Sequence, residues 1–234
     1  NLYSFKKSKI FFEKELTNSK FYNFQQGIRP IWIDENRIIF NRFINDELIA
    51  SIYNAQDKTF TDLNFPVQEI SSKNNLLISM DYYKLDYINK DYGYGIKGKA
   101  IKNEINGIVG YNFIQDKKVF KLSSNDIHAI SKNRNLPLTK CEINHVHHSP
   151  YDNSFVFIYR NKSHNGFSEL YHYDYKVNAL KVIYSGSLMS HYCWIDKNII
   201  FAYLEHNGKT GFFEINYNDS ISISQNILPN PKDN

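Results

Sequence analysis

The sequence predicts an all-β protein, a β-propeller with four-stranded blades, on three observations. The stretch Trp32-Ile33-Asp34-Glu35-Asn36-Arg37-Ile38-Ile39-Phe40 returns as Trp194-Ile195-Asp196-Lys197-Asn198-Ile199-Ile200-Phe201, so one hairpin unit is used twice. Each such unit is followed by a second pair of strand-like segments, and the units recur at roughly 40 to 50 residues, the spacing of propeller blades. No segment holds an apolar 3.6-residue period for three turns, whereas aromatic residues make up 16% of the chain and fit a pleated, half-buried surface.

Taken in order, residues 1–26 open as strand (Leu2 to Phe5, Ile10 to Phe12) and read as the tail of a preceding blade. Blades follow at about 27–66, 67–135, 140–186 and 190–227, in one domain or domain fragment spanning 1–234. The second unit is long because residues 81–106 form an insertion rich in Tyr, Asp and Lys, and long insertions in compact folds tend to carry function. A short helical turn is expected near 125–131, capped by Ser124. With only 10 glycines, the turns must rest on Asn and Asp, which tolerate left-handed backbone. Four to five blades make an incomplete ring, and a first residue that is not methionine reads as a piece cut from something longer.

The balance of 28 basic against 24 acidic residues gives a net charge of +4, with no basic block longer than a pair. That argues against a nucleic-acid partner, which calls for a basic stripe, and is compatible with an acidic polymer. No apolar run approaches the ~18 residues of a membrane helix, so no membrane span is expected, and no signal segment is visible. Cys141 and Cys193 are no disulfide framework; they read as free core thiols or as one bridge, and the compartment and oligomeric state stay open.

Polar, histidine-bearing segments precede two apolar strands. In Ile143-Asn144-His145-Val146-His147-His148 a turn follows and then Phe155-Val156-Phe157-Ile158-Tyr159-Arg160; in Ser190-His191-Tyr192-Cys193-Trp194 the strand Ile199-Ile200-Phe201 comes next. These two strand starts are the candidate site. His145 and His147 would share one strand face, and a divalent metal such as zinc is conceivable there, but no matching carboxylate or cysteine pair supports it, so no metal or other cofactor is assigned. Polar residues lining a channel is the plainer reading. Trp32 and Trp194, at equivalent repeat positions, read as blade packing. The tyrosines at 82, 83, 87, 92 and 94 read either as a sugar-facing surface, through aromatic faces and phenol groups, or as strand residues burying one side.

Several stretches lie in order across residues 23–204: Gln25-Gln26-Gly27 before Trp32, Ile39-Phe40-Asn41, Ser79-Met80-Asp81-Tyr82-Tyr83-Lys84-Leu85 with Tyr92-Gly93-Tyr94, Asn144-His145 to Ser149-Pro150, Tyr159-Arg160, and Ser190 to Trp194. As an ordered set they resemble the seven-bladed β-propeller polysaccharide lyases of the ulvan lyase type, with oligogalacturonate lyase as a more distant cousin. The resemblance implies a seven-bladed parent, a secreted or periplasmic setting, and β-elimination on a uronic-acid-containing polysaccharide. Such chemistry needs a cation on the sugar carboxylate, a base for the C5 proton and an acid for the leaving oxygen.

On this likeness Arg160 would neutralise the carboxylate, His191 would be a second neutraliser or base, and His145 and Tyr192 would transfer protons. Lys84, Lys90, Tyr92, Tyr94 and Asn144 would bind the acidic polysaccharide or oligosaccharide. Lys84 and Lys90 stand where the family tends to carry arginines, which loses the planar fork that grips a carboxylate. The alternative is a non-catalytic glycan-binding or scaffolding propeller; a third reading is a general protein-interaction propeller.

Overall fold

The computed structural model describes residues 2–6, 9–15, 22–96, 105–161, 166–218, 220–224 and 228–229. Parts of the expected leading tail (1, 7–8, 16–21), of the 81–106 insertion (97–104) and of the last blade (219, 225–227) lie outside them. A hairpin of β1 (Leu2–Lys6) and β2 (Lys9–Lys14) comes first. Four antiparallel meanders follow. Blade one holds β3 (Ile31–Trp32), β4 (Arg37–Ile44), β5 (Glu47–Asn54) and β6 (Thr59–Asp62). Blade two holds β7 (Glu69–Ser71), β8 (Leu76–Met80), β9 (Gly107–Asn112) and β10 (Lys117–Ser123). Blade three holds β11 (Glu142–His148), β12 (Ser154–Asn161), β13 (Phe167–Asp174) and β14 (Ala179–Gly186). Blade four holds β15 (Met189–Asp196), β16 (Ile199–His206), β17 (Lys209–Asn216) and β18 (Ser222–Ile223), with β19 (Leu228–Pro229) also pairing along β17. These are propeller blades with neighbouring strands adjacent in sequence, and no closed ring forms among the described residues.

The sequence repeat is a repeat of register. Trp32 pairs with Ile38 and Ile38 with Tyr53, while Trp194 pairs with Ile200 and Ile200 with Ile215. Both β4–β5 and β16–β17 close through two-residue turns, Asn45-Asp46 and Asn207-Gly208, with positive φ at all four residues. Two left-handed central residues make the turn whose twist matches the flanking strands, and Asn or Asp supplies it where glycine is scarce.

Apolar residues from adjacent blades interlock. Ile39, Ala50 and Ile52 of blade one pack with Ile70, Leu77 and Val109 of blade two. Ile78, Met80 and Leu122 of blade two pack with Phe155, Phe157 and Tyr159 of blade three. Val156, Ile158 and Leu170 of blade three pack with Ile200, Ala202 and Phe213 of blade four. Strand β12 is buried at every residue, because its odd-numbered aromatics face blade two and its even-numbered aliphatics face blade four. A strand covered on both faces needs such an uninterrupted apolar run.

Several expectations are corrected. The insertion holds a seven-residue helix α1 (Tyr82–Ile88), capped by the Asp81 carboxylate accepting the Lys84 N–H. Tyr82 and Tyr94 are core residues, 1% and 2% exposed, so of the tyrosine cluster those two face no ligand. Helix α2 (Ser124–Ile130) is capped by Ser123, not Ser124, in a reciprocal box with Asp126, where both orphan N–H groups find a side-chain acceptor. Trp32 is 51% exposed and does not pack between blades. Cys141 is buried, Cys193 exposed, and both are free thiols.

Asn41 stitches blades one and two: its Oδ1 accepts the Val67 N–H at 2.6 Å, and its Nδ2 donates to the Val67 carbonyl at 2.8 Å and the Tyr94 hydroxyl at 3.0 Å. Asn41→Ala strands these buried groups and is expected to lower stability by about 2–4 kcal/mol, read from urea unfolding. His172, against Tyr217 across the blade three–four boundary, has its imidazole pushed down to about 4 by burial and then by Lys181. The unfolded chain therefore binds a proton that the folded chain refuses. Stability is expected to fall as pH drops from 6.5 towards 4, and His172→Gln should flatten that slope in urea midpoints measured across the range.

Candidate functional site

The first strands of blades two, three and four, together with the segment ahead of blade one, surround one cavity. Gln26, Arg29, Glu69, His145, Val146, His147, His191 and Tyr192 line it. Arg29 is held there by left-handed backbone (φ 54°) and by its Nε donating to the Gln68 carbonyl at 2.7 Å. The preceding turn is anchored by Asn23, whose Oδ1 accepts the Gln25 and Gln26 N–H groups and whose Nδ2 donates to the Tyr92 carbonyl.

His145 sits on a β-bulge. Asn144 pairs with Ile158 and His147 with Val156, three steps on β11 against two on β12, and His145 takes φ 51°. Left-handed backbone is costly for a side chain of this size, and bulges re-aim side chains at strand ends. Two contacts hold this one: the Asn144 Oδ1 accepts the His145 N–H at 2.7 Å, and the Tyr192 hydroxyl donates to the His145 carbonyl. The bulge breaks the alternation that predicts a shared face for His145 and His147. The His145 ring lies against Tyr92 (centroids 5.4 Å) and His191 (5.7 Å), while His147 approaches Tyr192 (6.3 Å).

Arg160, directly across from Glu142 in the register, is buried and bound to it, Nε to Oε1 at 2.5 Å. Its guanidinium lies 5.8 Å from the Tyr92 ring centre. Arg160, Tyr92, His145 and His191 thus form a contiguous row, with the arginine at its buried end and His191, exposed and bonded to the Ser190 hydroxyl at 2.8 Å, at its open end. Tyr192 is turned inward, its hydroxyl bound to the carbonyls of His145 and Val156. Of the expected binding residues, Tyr92 borders the row, Lys90 is exposed on the 3-10 turn Lys90–Tyr92, and Lys84 is half-buried on α1, where burial lowers its amino group. Asn144 is buried beneath the bulge and Tyr94 lies in the core, so neither is open to a ligand.

Burial pushes the Glu69 carboxyl up, against the Ile70 N–H and the Arg29 charge. Burial, reinforced by Arg29, lowers His147, and burial lowers His148. The cavity wall therefore carries one imidazole, His147, that resists protonation beside a fixed guanidinium. Among the described residues no group of three or more His, Cys, Asp or Glu is arranged to hold a metal, and no helix is long and apolar enough to cross a membrane.

No protein-family model matches the chain, and no curated protein matches it. Among solved structures, TolB from Acinetobacter baumannii is similar at 12% identity and a TM-score of 0.47, over 86% of this chain and 43% of TolB. The apo AtxE2 isopeptidase is similar at 10% identity and a TM-score of 0.25, over 88% of this chain and 40% of the isopeptidase. The chain thus spans less than half the length of either. The propeller assignment rests on the four meanders and their shared register.

Arg29 and Glu69 were not singled out from the sequence. Carried three residues upstream of Trp32 and Trp194, the repeat aligns Arg29 with His191, and that step exposes the arginine as the blade-one counterpart of a candidate residue. Glu69 opens the inner strand of blade two, and only its neighbours reveal it. Tyr192→Phe is expected to cost about 1 kcal/mol of stability and to shift the His145 imidazole resonances in NMR spectra while leaving those of the remote His206 in place.

Proposed function

We propose that this chain handles a carboxylate-bearing, uronic-acid-type glycan at the inner ends of its blades, foremost as a binding propeller. One observation carries the reading: Arg29, the β11 residues His145 and His147, and His191, from three separate parts of the chain, face a single cavity. Arg29 forms no ion pair among the described residues and is the group free to meet a carboxylate through charge-assisted hydrogen bonds. The Tyr92, His145 and His191 rings offer flat faces and ring nitrogens to a sugar. Support for a glycan in particular comes from the ordered resemblance, whose Gln25-Gln26-Gly27, Asn144-His145 and Ser190-to-Trp194 stretches border this cavity.

Two of the residues that the resemblance implies for catalysis are occupied by the protein itself. Arg160 is neutralised by Glu142, and the Tyr192 hydroxyl is bound to backbone carbonyls. This favours binding over turnover. The second reading, β-elimination, draws on the His145–His191 ring contact. One neutral imidazole would take the C5 proton, the electron pair would form the C4–C5 double bond, and the departing glycosidic oxygen would receive a proton from the other imidazolium.

Calorimetry against a panel of uronic-acid polysaccharides, with ultraviolet absorbance followed for an unsaturated product, tests both. Binding is expected, and Arg29→Ala should weaken it at least about tenfold, the worth of one charge-assisted bond. Absorbance that rises in the wild type and vanishes in both His145→Ala and His191→Ala would establish elimination instead. No binding to any acidic glycan by the folded chain refutes the proposal. Arg160→Ala is expected to act on stability, by about 3–5 kcal/mol, because it leaves the Glu142 carboxylate buried and unpaired; urea unfolding separates this from an affinity effect.

A further inference from the structure

A second and larger cavity lies between blades two and three, beside the first. Its volume is about 490 Å³, against about 220 Å³ for the first, and sites for small organic ligands run from roughly 300 to 1,000 Å³. The first falls below that range, so a polymer seated in it continues into neighbouring space. Glu69 and His147 line both cavities, and the two meet there. The walls of the second are Ser71 to Asn74, at the end of β7, and Ser149 to Asn153, between β11 and β12. One tyrosine fixes their separation. The Tyr175 hydroxyl accepts from Asn74 Nδ2 at 2.9 Å and is bonded to His148 Nε2 at 3.0 Å, and the same Nδ2 donates to Asn153 Oδ1 at 3.2 Å. A site held in place before its ligand arrives loses less freedom on binding.

The chemistry of this cavity differs from that of the first. Among the described residues its one lining cation is Lys73, which is exposed. Two carboxyl groups, Glu69 and Asp152, line it as well, and burial keeps the His147 and His148 imidazoles from taking up a proton. A second carboxylate or a sulfate would lie against those carboxyl groups with no buried cation to meet it, a repulsion that selects against charged units. Serine, asparagine and neutral imidazole each donate and accept, which suits sugar hydroxyls. Tyr151, 47% exposed and with its N–H donated to Ser149 Oγ at 3.2 Å, offers a flat face to the apolar side of a sugar ring.

From this we infer that the second cavity seats an uncharged, unsulfated sugar unit next to the uronate met by Arg29, so that the glycan is a mixed one and not a run of uronates. The inference rests on the glycan reading above and adds the character of the neighbouring unit.

Calorimetry with three probes tests it: free glucuronate, an oligosaccharide alternating glucuronate with an uncharged hexose, and an oligouronate of equal length. The alternating oligosaccharide is expected to bind about tenfold more tightly than either of the others. Tyr151→Ala, outside the lining of the first cavity, should remove that advantage and leave the affinity for free glucuronate unchanged. Ser72→Trp, which fills the second cavity from an exposed position, should do the same. Equal affinity for all three probes, abolished by Arg29→Ala, overturns the inference and leaves the glycan reading standing. So does tighter binding of the oligouronate, with Lys73 then meeting the second carboxylate. Binding of none of the three refutes the glycan reading itself, and the inference with it.

Discussion

A four-stranded sheet with two apolar faces cannot stand alone in water, and everything in this chain follows from pressing such sheets against one another. Blade three shows the constraint most fully. Its central strand β12 alternates Phe155, Phe157 and Tyr159 towards blade two with Val156 and Ile158 towards blade four, and no residue of it is exposed. Burial of that kind contributes roughly 1.5–3 kcal/mol for each large side chain. The polar bonds of Asn41 across the first boundary add direction to a non-directional force.

Stacking the blades face to face brings their first strands to a common line, and the cavity is a product of that stacking. Glu69, His145 and His191 are far apart in sequence and meet because each belongs to the first strand of its blade. Within this frame one local irregularity shapes the chemistry. The bulge at His145 turns its ring towards Tyr92 and His191, and it is kept by a hydrogen bond from within β11 and another from β15. Tyr192 therefore acts on the cavity through the backbone of another blade.

Electrostatics separates the two arginines that sequence reasoning could treat alike. Arg160 lies opposite Glu142 in an antiparallel register, and a buried guanidinium must be paired there. Arg29 sits where its Nε is satisfied by a carbonyl and its charge acts on Glu69 and His147. The first is a structural group of blade three; the second gives the cavity its positive character.

The four-stranded antiparallel sheets were legible because strand, Asn-rich turn and strand recur along the chain, and a repeat with constant register carries its own topology. The histidines at 145 and 191 were legible as polar residues placed just before apolar strands. By contrast, the partner of Arg160, the burial of Tyr94 and the inward turn of Tyr192 depend on which side chains meet across blades. The helix beyond Met80 packs Tyr82 into the core, which decides for that residue between the sugar-facing and the buried reading that its composition left open. Local pattern and periodicity are properties of neighbouring residues, and these the sequence determined by itself: strands, turns and the number of blades described. Charge pairing, burial and the bulge arise between segments distant in the chain, and those only the tertiary structure decided.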